Sequence, residues 1–282
     1  MERSRISGCK SLIFLHIPRS GGTTLQRIIE RQYPRAAIFT IDGRNAYESI
    51  AEFKSLPEPR REKIVCLKGH VRFGLHHYLR QPCTYVTLLR DPVDRVISHY
   101  YYVLRTPNHY FYKQVISRGM SLDEYVRSGP SRELSDGQAR MVAGIHDECP
   151  IPPADTLAMA KKNLKECFTV VGLTERFDES LVLMKRRLAW KWPCYTRRNV
   201  TRNRPPRSAI PRGTVRLIQQ RNEKDLELYA FAKQLFAESI REEGPSLVRE
   251  LRSFRFLNRA YGVSGTALAI ARRVLRALPN SD

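Results

Sequence analysis

Acidic residues are scarce in this chain: 28 Asp and Glu stand against 49 Lys and Arg in 282 residues, a formal net charge of +21. A field of that sign gathers anions, which favours nucleotides, nucleic acid, polyanionic glycans or anionic lipid as partners; a merely basic surface is the plain alternative. The six cysteines, at 9, 66, 83, 149, 167 and 194, never take C-x-x-C spacing and stand in no Cys/His cluster. A structural zinc module is thereby disfavoured, as is a disulfide framework at this length and density. Cys66, Cys83 and Cys167 fall in or beside apolar runs, as reduced thiols do. No apolar stretch reaches the roughly 18 residues of a membrane span, and MERSRISGCKS lacks the apolar core of a leader. The expectation is a cytoplasmic protein with no membrane span of its own. Both G-x-x-x-x-G-K-[ST] and G-x-G-x-x-G are missing as well.

What is present is a strand–loop–helix pattern, LIFLHIPRSGGTTL, from Leu12 to Leu25. The apolar run stops at Pro18, the loop Arg19-Ser20-Gly21-Gly22 follows, and Thr23-Thr24-Leu25 opens a helix. Loop amides and the unpaired N–H groups of a first helical turn converge on one point, where the helix dipole favours negative charge. Gly21 and Gly22 let an anion approach the backbone, and Arg19 adds a planar cationic fork. No lysine follows the glycines. The strand ends also offer little for Mg²⁺ beyond Asp91, which reads more simply as a helix cap. The site is expected to hold its anion with protein cations alone.

Three more near-continuous apolar runs, at 64–67, 84–89 and 168–173, read as strands buried on both faces, and 36–41 reads as a short strand. Helical patterns separate them. The fold class is α/β, a three-layer P-loop-like parallel sheet flanked by helices. At this length the chain reads as a single domain, 1–282, with a core over 10–205 and a C-terminal helical extension over 214–282. Asp91 and Pro92 start a helix whose buried face is Val93, Val96, Ile97, Tyr100 and Leu104; Arg95, Ser98 and Tyr102 fall on the opposite side. His16 reads as a packed residue of the first strand, and His99 carries no signal of its own. The stretch TRRNVTRNRPPRSAIPRG has six arginines, three prolines and no acid, so it is irregular. It is either a solvated basic loop or one that folds over an anion through residues such as Arg202 and Arg204. The final TALAIARRVLRAL reads as a short basic amphipathic helix, open to peripheral contact with a partner or an anionic membrane, or packed on the domain.

HIPRSGGTTL, followed by LLRDPVDRVISHYYY, resembles the two cofactor motifs of the carbohydrate-type sulfotransferases, the family of the heparan sulfate 2-O- and 6-O-sulfotransferases and many bacterial relatives. The likeness covers roughly residues 10–205 and includes GHVRFGLH, GQARMVAG and VGLTERFDESLVLMKRRLAW. It implies 3′-phosphoadenosine 5′-phosphosulfate (PAPS) as donor, gripped at its 5′-phosphosulfate by Arg19, Ser20, Gly21, Gly22, Thr23 and Thr24. Arg19 and Ser20 replace the family's usual Lys and Thr. The resemblance places the donor's 3′-phosphate on Arg90 and Ser98.

His70 is the candidate base. Sulfuryl transfer removes a hydroxyl proton, imidazole suits that task, and the apolar run at 64–67 delivers His70 to the ligand edge of the sheet. It is expected between the two phosphate sites, with His76 and His77 as alternatives. The reading is a PAPS-dependent sulfotransferase, bacterial and cytoplasmic, acting on a hydroxyl of a glycan or glycoconjugate. An ATP phosphotransferase would need a Walker lysine and a metal carboxylate. A nucleic-acid binder would interleave aromatics with the arginines, yet Tyr195 is the only aromatic between 195 and 225.

Overall fold

The computed structural model describes residues 11–145, 154–196 and 204–277, with side chains described to residue 263. Five parallel strands form one sheet: β1 (Ser11–Leu15), β2 (Ile38–Ile41), β3 (Cys66–Gly69), β4 (Cys83–Leu89) and β5 (Phe168–Leu173), in the order β2-β3-β1-β4-β5. Apolar continuity makes the three central strands what they are. Every residue of β1 and β3 is buried, and only Cys83 of β4 is partly open. Register follows suit, with Leu15 beside Gly69 on one side and Thr87 on the other.

The helices are α1 (Gly22–Ile29), α2 (Ala46–Ser55), α3 (Glu58–Arg61), α4 (Pro92–Leu104), α5 (Tyr112–Ser117), α6 (Leu122–Ser128), α7 (Gly137–Ala143), α8 (Thr156–Glu166), α9 (Phe177–Arg187), α10 (Arg212–Gln220), α11 (Glu223–Glu243) and α12 (Pro245–Ala277). The expected caps are in place. Asp91 Oδ1 accepts the Asp94 N–H at 3.0 Å, and Ser121 forms a capping box with Glu124. One large core joins the sheet to α1, α7, α9, α11 and the start of α12. A second apolar cluster lies under α4, α6 and α10.

Three details depart from the sequence reading. His16 lies one residue past β1, in the loop itself. Arg95 and Ser98 are buried, at 1% and 3% exposure, because α4 is covered on both sides. Arg95 meets Asp225 at the start of α11, with Nη2–Oδ2 3.4 Å, a partner that no local periodicity announces. The C-terminal basic segment is not a short separate helix but the continuation of α12; its side chains, and the contacts expected of them, lie outside the described residues. No helix among the described residues is long and apolar enough to cross a membrane.

Gly69 closes β3 with φ +123°, and a Cβ there would overlap the carbonyl oxygen of Ile41 on the neighbouring strand. Gly69→Ala is therefore expected to cost at least about 3 kcal/mol, through backbone strain and a clash that no rotamer relieves. Urea unfolding of the variant measures it.

Candidate active site

Strand order reverses at β1, so the crevice for a ligand opens at the carboxyl ends of β3, β1 and β4. Three loops meet there. The β1 loop turns through Ser20 N–H to the Ile17 carbonyl, at 3.3 Å, and through Gly21 at φ 78°, the N-cap of α1. Thr24 and Leu25 donate back to the Gly21 carbonyl at 3.2 and 3.3 Å. Among the described residues nothing takes the N–H groups of Gly22 and Thr23, as a first helical turn requires. Ser20 is 1% exposed and its Oγ has no hydrogen-bond partner. A Cβ on Gly22 would overlap the His16 ring. An orphaned buried hydroxyl, two free amides and a helix N-terminus together fit a phosphate or phosphosulfate. Thr23 is exposed and Thr24 half-buried beside them.

Arg19 has left-handed backbone, φ 68°, a conformation costing roughly 1–2 kcal/mol for a residue with a Cβ. The neighbouring loop holds it there: Arg90 Nη1 donates to the Arg19 carbonyl at 2.8 Å. The Arg19 guanidinium turns toward α4, donating to Ser98 Oγ from Nε at 3.3 Å and Nη2 at 3.2 Å. It also lies 4.3 Å over the Tyr102 ring. Burial, then the charges of Arg105, Arg90 and Arg204, push its pKa down to about 10, which leaves it cationic at neutral pH. Burial likewise lowers Arg90, with Arg204 acting the same way. Arg204 reaches this cluster from the Arg-rich stretch and pairs with Asp94; Arg207 pairs with Asp91 at 3.3 Å. Arg202 lies outside the described residues.

So Arg19, Arg90 and Ser98 are brought into one cluster, where the sequence suggested two separate pockets. Asp94, Glu175 and Asp91 offset part of the repulsion at Arg90, while burial and the neighbouring guanidiniums dominate at Arg19, an arrangement that suits an anion.

His70 stands on the other side of the loop. Because β1 lies between β3 and β4, the glycine loop separates His70 from Arg90, so His70 does not sit between the glycine loop and Arg90, where it was expected. The His70 N–H donates to the Ile41 carbonyl at 3.3 Å. Gly43 lies against the ring face, where a Cβ would come within 2.6 Å. His70 lines a cavity of about 250 Å³ with Tyr47, Arg72, Tyr110, Glu133 and Arg140. Burial lowers its pKa, opposed by Glu133 and Asp42 and aided by Arg72. Burial alone would raise Glu133. The hydrogen bond and charge of His99, with His70 and Arg95 behind them, hold that carboxyl instead at about 2. His76 is turned to Tyr85, with Nδ1 2.9 Å from the phenol oxygen, and His77 is exposed; neither lines this cavity.

Several supporting residues escape the sequence reading. Gln138 accepts the Arg90 N–H on Oε1 at 3.0 Å and donates from Nε2 to the Arg90 carbonyl at 2.9 Å. Asp225 accepts the N–H groups of Gln138 and Ala139 at 3.2 and 2.7 Å. His99, which carries no signal in the sequence, contacts Glu133 at 3.4 Å and Tyr125 at 2.9 Å. GQARMVAG was the one available signal, and it marks Gln138 without saying what it does.

A family model described as galactose-3-O-sulfotransferase matches residues 9–263, and the chain belongs to that family. Human galactose-3-O-sulfotransferase 3 is 26% identical over 277 residues, which cover 89% of this chain and 63% of that protein. Human heparan-sulfate 6-O-sulfotransferase 1 is 27% identical over 285 residues, covering 84% and 68%. The chain thus spans under two thirds of the galactose-3-O-sulfotransferase it matches. A crystal structure of a mouse sulfotransferase complexed with PAP, SULT7A1, aligns over 82% of this chain and 92% of its own, at 15% identity and a TM-score of 0.31. The sheet topology described above, not that alignment, defines the fold.

Proposed function

We propose that the protein is a sulfotransferase that moves the sulfuryl group of PAPS to a hydroxyl on a glycan or glycoconjugate. The observation that carries this reading is the convergence of three groups at one sheet edge: the orphaned Ser20–Thr23 donors, the Arg19–Arg90–Ser98 cluster and His70. Membership of the galactose-3-O-sulfotransferase family supports it, and relatives named for galactose and heparan sulfate support a sugar acceptor.

When bound, the donor supplies an activated sulfuryl group on a phosphate leaving group. The residues do the rest. Ser20 Oγ and the Gly22 and Thr23 amides hold the 5′ end and stabilise charge that grows on the leaving oxygens. Arg19 is fixed by Ser98 and Tyr102 and adds positive potential without donating a proton, since its guanidinium stays charged. Arg90 and Ser98 take the 3′-phosphate, with Arg204 at their rim. One ring nitrogen of His70 accepts the acceptor hydroxyl's proton as the oxygen bonds to sulfur. Its lowered pKa keeps it unprotonated at neutral pH.

Calorimetry with adenosine 3′,5′-bisphosphate (PAP), beside ATP and duplex DNA, tests the reading. PAP is expected to bind tightest, and tight ATP binding without a response to PAP overturns it. Arg90→Ala is expected to weaken PAP by about 10- to 100-fold, the loss of a charge-assisted phosphate contact.

A further inference from the structure

The second histidine of the site is His16. Its ring is 7% exposed and lies where the two halves of the proposed reaction meet. One edge, Nε2 and Cδ2, fills the space over Gly22 at the start of α1. The ring also stands edge-to-face with His70, centroids 4.8 Å apart and planes at 71°. It therefore touches both the anion loop and the candidate base.

Its proton is placed by two residues behind it. Lys68 is 2% exposed, and its ammonium donates to Glu30 Oε1 at 2.9 Å and to Gln26 Oε1 at 3.4 Å. An ammonium has no acceptor, so the oxygen of the Gln26 amide must face it. The amide nitrogen then faces His16 Nδ1, at 2.8 Å. That nitrogen only donates, so Nδ1 accepts, and the single proton of the neutral ring resides on Nε2. An imidazolium would set Nδ1–H against the Gln26 NH₂, donor against donor. Burial first, then the charges of Arg19 and Lys68, also disfavour the cation, against an opposing pull from Glu133. Among the described residues nothing accepts the Nε2 proton.

From this geometry we infer that His16 is a locked neutral hydrogen-bond donor to the sulfuryl oxygens during transfer, with Lys68 and Gln26 as its positioning residues. It gives up no proton: the acceptor proton goes to His70, the new S–O bond forms at the acceptor oxygen, and the old one breaks at the leaving phosphate. The inference rests on the sulfotransferase reading for its ligand, but the locked tautomer stands on the protein alone.

The test uses the full chain with ¹⁵N-labelled histidine. At pH 7 the free protein is expected to show His16 as the neutral Nε2–H tautomer. Adding PAPS without acceptor should move that resonance more than adding PAP does. His16→Phe keeps a ring over Gly22 but removes the donor; it should lower kcat by about 10²-fold and leave PAP affinity within about threefold, since PAP has no sulfuryl group. Gln26→Glu, of the same size, should flip the His16 proton to Nδ1 in the spectrum and lower kcat without changing the acceptor KM. An Nδ1–H or imidazolium signal in the wild type, or a His16→Phe enzyme with wild-type kcat, overturns the inference. A wild type that ignores PAP and PAPS while showing the Nε2–H signal overturns the sulfotransferase reading and the role assigned to His16 in it.

Discussion

His70→Ala is expected to lose about 10²- to 10⁴-fold in turnover while still binding PAP with wild-type affinity. The separation is geometric. His70 lines its cavity with Glu133 and Arg140, whereas Arg90, Ser98 and Arg204 lie across the glycine loop from it. Removing the imidazole therefore leaves the proposed phosphate contacts untouched. The pH profile carries the same information. Burial holds the His70 pKa below 6.5, so the base is free at neutral pH and is lost only as pH falls through that lowered value. The acid limb of kcat/KM should thus have its midpoint below 6.5. Glu133 opposes the depression, and Glu133→Gln should move the limb to still lower pH. A His70→Ala enzyme with near wild-type rate, measured by transfer of labelled sulfate, would show that another group takes the proton.

Asp225→Ala is expected to destabilise the fold by about 3–5 kcal/mol, against a total of about 5–15 for a typical domain. Asp225 is fully buried and Arg95 is 1% exposed. Deleting the carboxylate strands a buried guanidinium and also frees the Gln138 and Ala139 amides at the start of α7. Denaturant midpoints measure the loss. In the double variant Arg95→Met/Asp225→Ala the stranded charge is gone, so much of the stability should return. If the double variant is no better than the single, packing rather than charge explains the loss. Gln138 hangs on the same link, so the variant should also bind PAP more weakly at temperatures where it is folded.

Local pattern and long-range contact divide what the chain discloses before it is folded. The central strands were legible because parallel strands covered on both faces read as unbroken apolar runs; the glycine loop was legible because its chemistry is contiguous. His70 follows a strand end, so its place at the sheet edge was legible too. Its side of the loop was not, because that depends on β3 pairing with one edge of β1 and β4 with the other. Helix α4 misled for a related reason. Its apolar stripe is real, but the opposite face is buried by partners such as Asp225, 130 residues from Arg95. The proton on His16 is legible only from three side chains on three elements, whose spacing in sequence carries no period.

One consequence of the Gln138–Asp225 link concerns the order in which the chain is made. The glycine loop, His70 and Arg90 all leave the ribosome early, and the last strand, β5, follows. Arg90 is held by Gln138, however, and Gln138 sits at the start of a helix tethered by Asp225. A nascent chain ending before α11 has the strands of the sheet, but the proposed phosphate contact at Arg90 lacks the Asp225 tether behind Gln138. PAP retention by stalled chains should begin only once residue 225 has emerged, so the bound nucleotide reports the moment α11 joins the fold.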